Sequence, residues 1–81
     1  MLSEYTEAAL RHAKYEILKD QRKYYGEIPQ CKGVYATAKN LETCRHQLAE
    51  ILEEWVLLRV HRHLKLPVFE GIKLSVRESA S

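Results

Sequence analysis

The sequence predicts an α+β fold, a two-layer sandwich in the order α-β-β-β-α-β with one long helix packed on a small, mainly antiparallel sheet. Three observations predict it. The stretch from Leu41 to about His63 contains neither Gly nor Pro and carries apolar residues at helical spacing. Three runs before it, and one after it, alternate apolar and polar residues with a period of two. With 81 residues, 46% of them hydrophobic and 30% charged, the chain can build one core but not two.

Ser3 to His12 is rich in helix formers, with Ser3 as a candidate cap and acids in the first turn, and reads as a short opening helix. From Lys14 the period becomes two. Tyr15 and Ile17 alternate with Lys14 and Glu16, then Tyr24, Gly26 and Ile28 with Tyr25 and Glu27. Asp20 to Lys23 separates these strands without an Asn-Gly or Asp-Gly pair, so a hairpin with a longer turn is expected. Pro29 to Gly33 reads as a loop, because Pro29 donates no ladder hydrogen bond and Gly33 suits a positive φ. Val34, Ala36 and Ala38 then alternate with Tyr35, Thr37 and Lys39, a third strand whose small core-side residues let a helix come close.

Asn40 is placed to cap the long helix. At about 100° per residue, Leu41, Cys44, Leu48, Ile51, Leu52, Trp55 and Leu58 fall in a stripe about 120° wide that should cover the sheet. His46, Glu50, Glu53 and Glu54 fall opposite. Val56, Leu57 and Val60 lie outside the stripe, and this apolar excess predicts self-association as a symmetric dimer or a dimer of dimers. Leu66-Pro67 is expected to stop the helix, and Ile72, Leu74 and Val76, alternating with Lys73, Ser75 and Arg77, to form the fourth strand. The expected organisation is a single domain over residues 1–81, with a helical extension at 1–12, a core at 13–76, a tail at 77–81 and no C-terminal DNA-binding module.

Thirteen Lys and Arg against eleven Asp and Glu leave a charge of +2, too little to imply a nucleic-acid or membrane surface. The N-terminus has no uninterrupted apolar run that would make an export signal or a membrane anchor, so a cytoplasmic location with reduced Cys31 and Cys44 is expected. Cys44 falls in the apolar stripe, as a structural thiol does. His12, His46, His61 and His63 lack zinc-site spacing, and His61 and His63 would point about 200° apart on a helix. No metal or cofactor is expected. Two-metal nuclease chemistry needs several converging carboxylates, whereas Asp20 is the only aspartate and Glu16 and Glu27 read as wet-face strand residues. With no phosphate loop or nucleophile elbow either, no enzyme is expected. Arg59, His61, Arg62, His63 and Lys65 gather where the helix dipole favours cations, and the same cluster is a small basic patch suited to an acidic partner or RNA.

The run Tyr24-Tyr25-Gly26-Glu27-Ile28-Pro29-x-Cys31-x-Gly33-Val34-x-Ala36 resembles the N-terminal domain of HicB-like antitoxins. The preceding Tyr15-x-Ile17 strand, the Leu41-x-x-Cys44-x-x-x-Leu48-x-x-x-Leu52 helix with Glu53 and Trp55, and the closing strand follow the same order, from Ala13 to Val76. Ala38 stands where many members have Gly, and Thr43-Cys44 where Glu-Ala is common. The resemblance implies a degenerate ribonuclease-H-like fold, usually oligomeric, that is not itself a nuclease and neutralises a small RNA-cleaving HicA-type toxin by covering its active surface. Members commonly add a C-terminal DNA-binding domain, so direct DNA binding by this chain alone is not expected. A toxin that acts on RNA should present a basic face, for which Glu50, Glu53 and Glu54 on the helix or Glu16 and Glu27 on the sheet are complements. The favoured interface residues are Glu16, Tyr25, Glu27 and Tyr35, an aromatic centre with a charged rim. The competing reading is a stand-alone homo-oligomeric module with no toxin partner.

Overall fold

The computed structural model describes residues 2–72. Helix α1 (Leu2–Arg11) leads into strands β1 (Lys14–Leu18), β2 (Lys23–Glu27) and β3 (Tyr35–Ala38), and helix α2 (Leu41–His61) follows. The strands form one antiparallel sheet in the order β1-β2-β3, with Tyr15 paired to Gly26 and Gly26 to Ala36. The fold is α+β, as the alternation of the strands and the helical stripe imply. The expected fourth strand, Ile72 to Val76, lies outside the described residues except for Ile72, which makes an isolated bridge to Phe69.

Successive side chains on a strand point to opposite faces. Gly26, Ile28, Val34 and Ala36 are therefore buried beneath α2, while Glu16, Tyr35 and Thr37 face away from it. In the β1–β2 turn the Gln21 N–H donates to the Leu18 carbonyl at 3.1 Å and Arg22 takes a φ of +53°. Arg22 thus supplies the left-handed residue for which the sequence offers no glycine.

The buried residues of α2 are Cys44, Leu48, Leu52 and Val56, each four positions from the last. Four residues advance about 400°, so the buried line swings about 40° at every step. Along this line α2 packs both on β2 and β3 and on α1. This swing corrects the single straight stripe. Leu41 and Leu58 are exposed, whereas Val56, expected to be wet and self-associating, is 0% exposed, and Val60 is half-buried against the same core. Of the three expected self-association residues only Leu57 stands in the open.

Both ends of α2 are closed by identifiable devices. Asn40 Oδ1 accepts the Thr43 N–H at 2.7 Å, the N-cap the sequence implies. The helix stops before Leu66-Pro67, so proline is not what ends it. The His63 N–H donates to the Val60 carbonyl at 3.1 Å and the Leu64 N–H to the Arg59 carbonyl at 2.8 Å, with His63 at a φ of +57°. That is a Schellman closure with histidine in the position glycine usually fills.

Helix α1 is part of the core rather than an extension outside it. Tyr5, Ala8 and Ala9 are fully buried, and Ser3 lies within the helix instead of capping it. The Tyr5 hydroxyl donates to the Pro67 carbonyl at 2.5 Å, and its ring meets Phe69 edge-on with centroids 5.6 Å apart. Burial, with a smaller push from the Cys31 thiol, raises the Tyr5 phenol to about 12 against an opposing pull from Arg59. At the surface Arg11 holds the Glu70 carboxylate through Nη2 at 2.7 Å and Nε at 3.1 Å, and His12 Nε2 stands 3.4 Å from the same group.

Three outcomes follow from this packing. A Cβ on Gly26 would stand 2.7 Å from Tyr15 Cε1 and 3.3 Å from Cys44 Sγ. Gly26→Ala is expected to destabilise the fold by about 1–3 kcal/mol, read as a lower urea midpoint. His63→Gly is expected to stabilise it by about 0.5–1 kcal/mol, because relief of left-handed strain exceeds the added unfolded-chain entropy. The hydrogen bond from Arg11 holds the Glu70 carboxyl below its ordinary range. A depressed carboxyl contributes stability above its unfolded pKa and loses it as pH falls through the folded value. Glu70→Gln should therefore lower Tm at neutral pH and shrink its fall on acidification.

Candidate protein-interaction surface

The sheet face turned away from α2 brings together all four residues expected there. Tyr25 on β2 and Tyr35 on β3 stack with ring centroids 6.2 Å apart and planes at 26°. The register sets Glu16 opposite Tyr25 and Glu27 opposite Tyr35, so the two carboxylates are diagonal neighbours flanking Tyr25 rather than a facing pair. The Tyr25 hydroxyl donates to Glu27 Oε1 at 3.0 Å, which fixes the ring at both ends. That hydrogen bond, then desolvation and the negative charge of Glu27, push the Tyr25 phenol above its ordinary range. Lys14 lies opposite Glu27 at the rim.

Such a surface suits recognition. It offers two near-parallel rings on rigid strands and two carboxylates beside them, and its phenol is held neutral. Tyr35 is 57% exposed, and among the described residues no helix covers this side of the sheet.

The other chemically suggestive residues are used in packing. Cys31 is buried in the loop after β2, and burial raises its thiol to about 11. Cys44 lies under the sheet with Sγ 3.5 Å from the Ala36 carbonyl and 3.7 Å from that of Tyr24, its thiol likewise raised by burial. Both are free, inert thiols. His46 approaches Glu50 at 3.5 Å, and among the described residues no group of three or more His, Cys, Asp or Glu is placed to hold a metal. Within the basic cluster Arg59 is committed internally. Its guanidinium lies 4.8 Å from the Trp55 ring centroid and its Nε donates to the Lys65 carbonyl at 2.8 Å. Trp55 Nε1 in turn donates to the Lys32 carbonyl at 3.1 Å and ties the loop after β2 to α2, a link with no signal in the sequence. No described helix is long and apolar enough to cross a membrane.

The sequence pattern of the UPF0150-like family matches residues 4–67. The chain belongs to this family. A crystal structure of TTHA0281 from Thermus thermophilus is similar throughout, with a TM-score of 0.86 and 37% sequence identity over 94% of each chain. No curated protein matches. The UPF0150-like match begins inside α1 and ends at Pro67, the residue whose carbonyl accepts the Tyr5 hydroxyl. The unit that defines the family thus takes in the first helix, which the resemblance beginning at Ala13 leaves out.

Because Glu27 accepts from the neutral phenol and repels the phenolate, Glu27→Gln should move the Tyr25 titration down towards that of an ordinary tyrosine. The Cζ chemical shift of Tyr25 followed against pH reads this directly.

Proposed function

We propose that this UPF0150-like chain acts as an antitoxin, binding a small RNA-cleaving HicA-type toxin and neutralising it by covering its active surface. The observation that carries the reading is the stacked Tyr25–Tyr35 pair flanked by Glu16 and Glu27 on an uncovered sheet face. The resemblance of the Tyr24–Ala36 run to HicB-like antitoxins and membership of the UPF0150-like family support it. An enzyme that cleaves RNA must bind a polyanion, so its active surface is basic, and two carboxylates around a rigid aromatic centre complement it. The chain acts by occlusion and carries out no catalysis. Its one aspartate, Asp20, lies in the β1–β2 turn, away from both glutamates of the sheet face.

Co-expression with the product of the neighbouring reading frame is expected to yield a stable complex that suppresses RNA cleavage. Tyr25→Ala should weaken it by about thirtyfold, roughly 2 kcal/mol, as removal of a central anchor does. Glu27→Lys should slow association, and the deficit should shrink at high salt. If no small ribonuclease copurifies and the neighbour's toxicity is unaffected by this chain, the reading fails.

A further inference from the structure

Trp55, Arg59 and the cap residue Arg62 follow one another at helical spacing, so at about 100° per residue they share a stripe about 60° wide at the C-terminal end of α2. Glu53 and Glu54 fall about 160° and 100° away from Trp55 and leave this end of the stripe without an acid. Two hydrogen bonds bring further cations to it. Trp55 Nε1 donates to the Lys32 carbonyl at 3.1 Å and Arg59 Nε to the Lys65 carbonyl at 2.8 Å, so the loop after β2 and the segment after α2 meet there. Lys32, Arg62 and Lys65 are exposed, and among the described residues none of the four cations makes an ion pair. A net charge of only +2 conceals this local excess. The helix dipole accounts for cations at the end of α2, but not for Lys32, which comes from a loop 23 positions before Trp55, nor for the aromatic ring among them.

Planar groups set this patch apart from a plain cluster of lysines. The Arg59 guanidinium lies 4.8 Å from the Trp55 ring centroid, and among the described residues only its Nε is used in a hydrogen bond, which leaves both amino groups free. An acidic protein would need the cations alone. An unpaired base also needs a flat partner, and aromatic rings and guanidinium planes are the surfaces on which such bases stack. A duplex keeps its base faces covered, so the ligand that uses both features is a single strand. We propose that this end of α2 binds single-stranded nucleic acid, with a base stacked on the Arg59–Trp55 pair and the flanking phosphates held by Lys32, Arg62 and Lys65. So few phosphate contacts, with no group placed to read a base edge, put the affinity in the sequence-independent range, about 10⁻⁴–10⁻⁶ M at physiological salt.

The patch belongs to the helix layer and not to the Tyr25–Tyr35 face, and its test needs no toxin. Trp55 is the only tryptophan, so its emission reports stacking directly. Titration of the full chain against a short labelled RNA of mixed sequence should raise the anisotropy of the RNA and quench Trp55 together. The logarithm of the binding constant should fall against the logarithm of salt with a slope of about −2, as three phosphate contacts on a single strand require. The same sequence as DNA, run alongside, shows by the tighter binding which of the two strands the site takes. Lys32→Glu and Arg62→Glu, both at exposed positions, should each weaken binding by about tenfold and flatten the slope by about 0.7, with Tm unchanged. Lys19→Glu, the same change of charge in the β1–β2 turn, should cost less than about twofold. Polyglutamate should leave Trp55 emission as it was. The proposal is overturned if neither strand binds at the lowest salt, if a bound strand leaves Trp55 emission unchanged, or if Lys19→Glu costs as much as Lys32→Glu. Polyglutamate binding as tightly as RNA would make the patch a site for an acidic protein and overturn it equally.

Discussion

Helix α2 can lie on the sheet only because the strands beneath it present almost no side chain at the crossing. Gly26 and Ala36 are register partners at that point, and the Cys44 thiol fills the gap between helix and sheet, within reach of the Ala36 carbonyl. The Tyr15 ring closes over Gly26 from the neighbouring strand, taking the space a side chain on β2 would need. Interiors packed near crystal density tolerate neither an added methyl nor a lost one at such a contact.

The sharing of α2 between the sheet and α1 explains what could and could not be read from the sequence. The strands were legible from their alternation, although Ile17, on the core-side parity of β1, is exposed, and so was the N-terminal end of α2, because Asn40 is a good cap. The burial of Val56 and the place of α1 were not. A helical stripe drawn along one helix assumes one straight partner, whereas α2 has two, and its buried line swings between them. Phe69, fully buried against Tyr5, sits outside any periodic run and gives no pattern to follow. The end of α2 was misplaced for a related reason. Proline is a visible stop signal, but the Schellman closure at His63 uses a residue that carries none.

The composition of the open sheet face was legible for the opposite reason. A half-covered sheet sorts its residues by parity alone, so alternation places Glu16, Tyr25, Glu27 and Tyr35 together without any knowledge of register. What parity cannot give is the diagonal contact of the two rings and the hydrogen bond from Tyr25 to Glu27, which depend on pairing Glu27 with Tyr35. With one layer open on its sheet side and the other carrying the Trp55–Arg59 pair, the fold keeps two separate surfaces on its two layers.

The contacts that seat α1 bear on how the chain comes to be folded at all. The Tyr5 hydroxyl reaches a carbonyl 62 positions away, and Arg11 a carboxylate 59 positions away. The hairpin β1–β2 and its neighbour β3 join residues close in the chain, and loop closure between distant residues is the slower event. A ribosome therefore releases the first helix long before the segment that completes its pocket exists. Until residues 67–70 emerge, the apolar side of α1, with Tyr5, Ala8 and Ala9, lacks the Pro67 carbonyl and the Phe69 ring that complete its packing, so the part of the core that is synthesised first closes last.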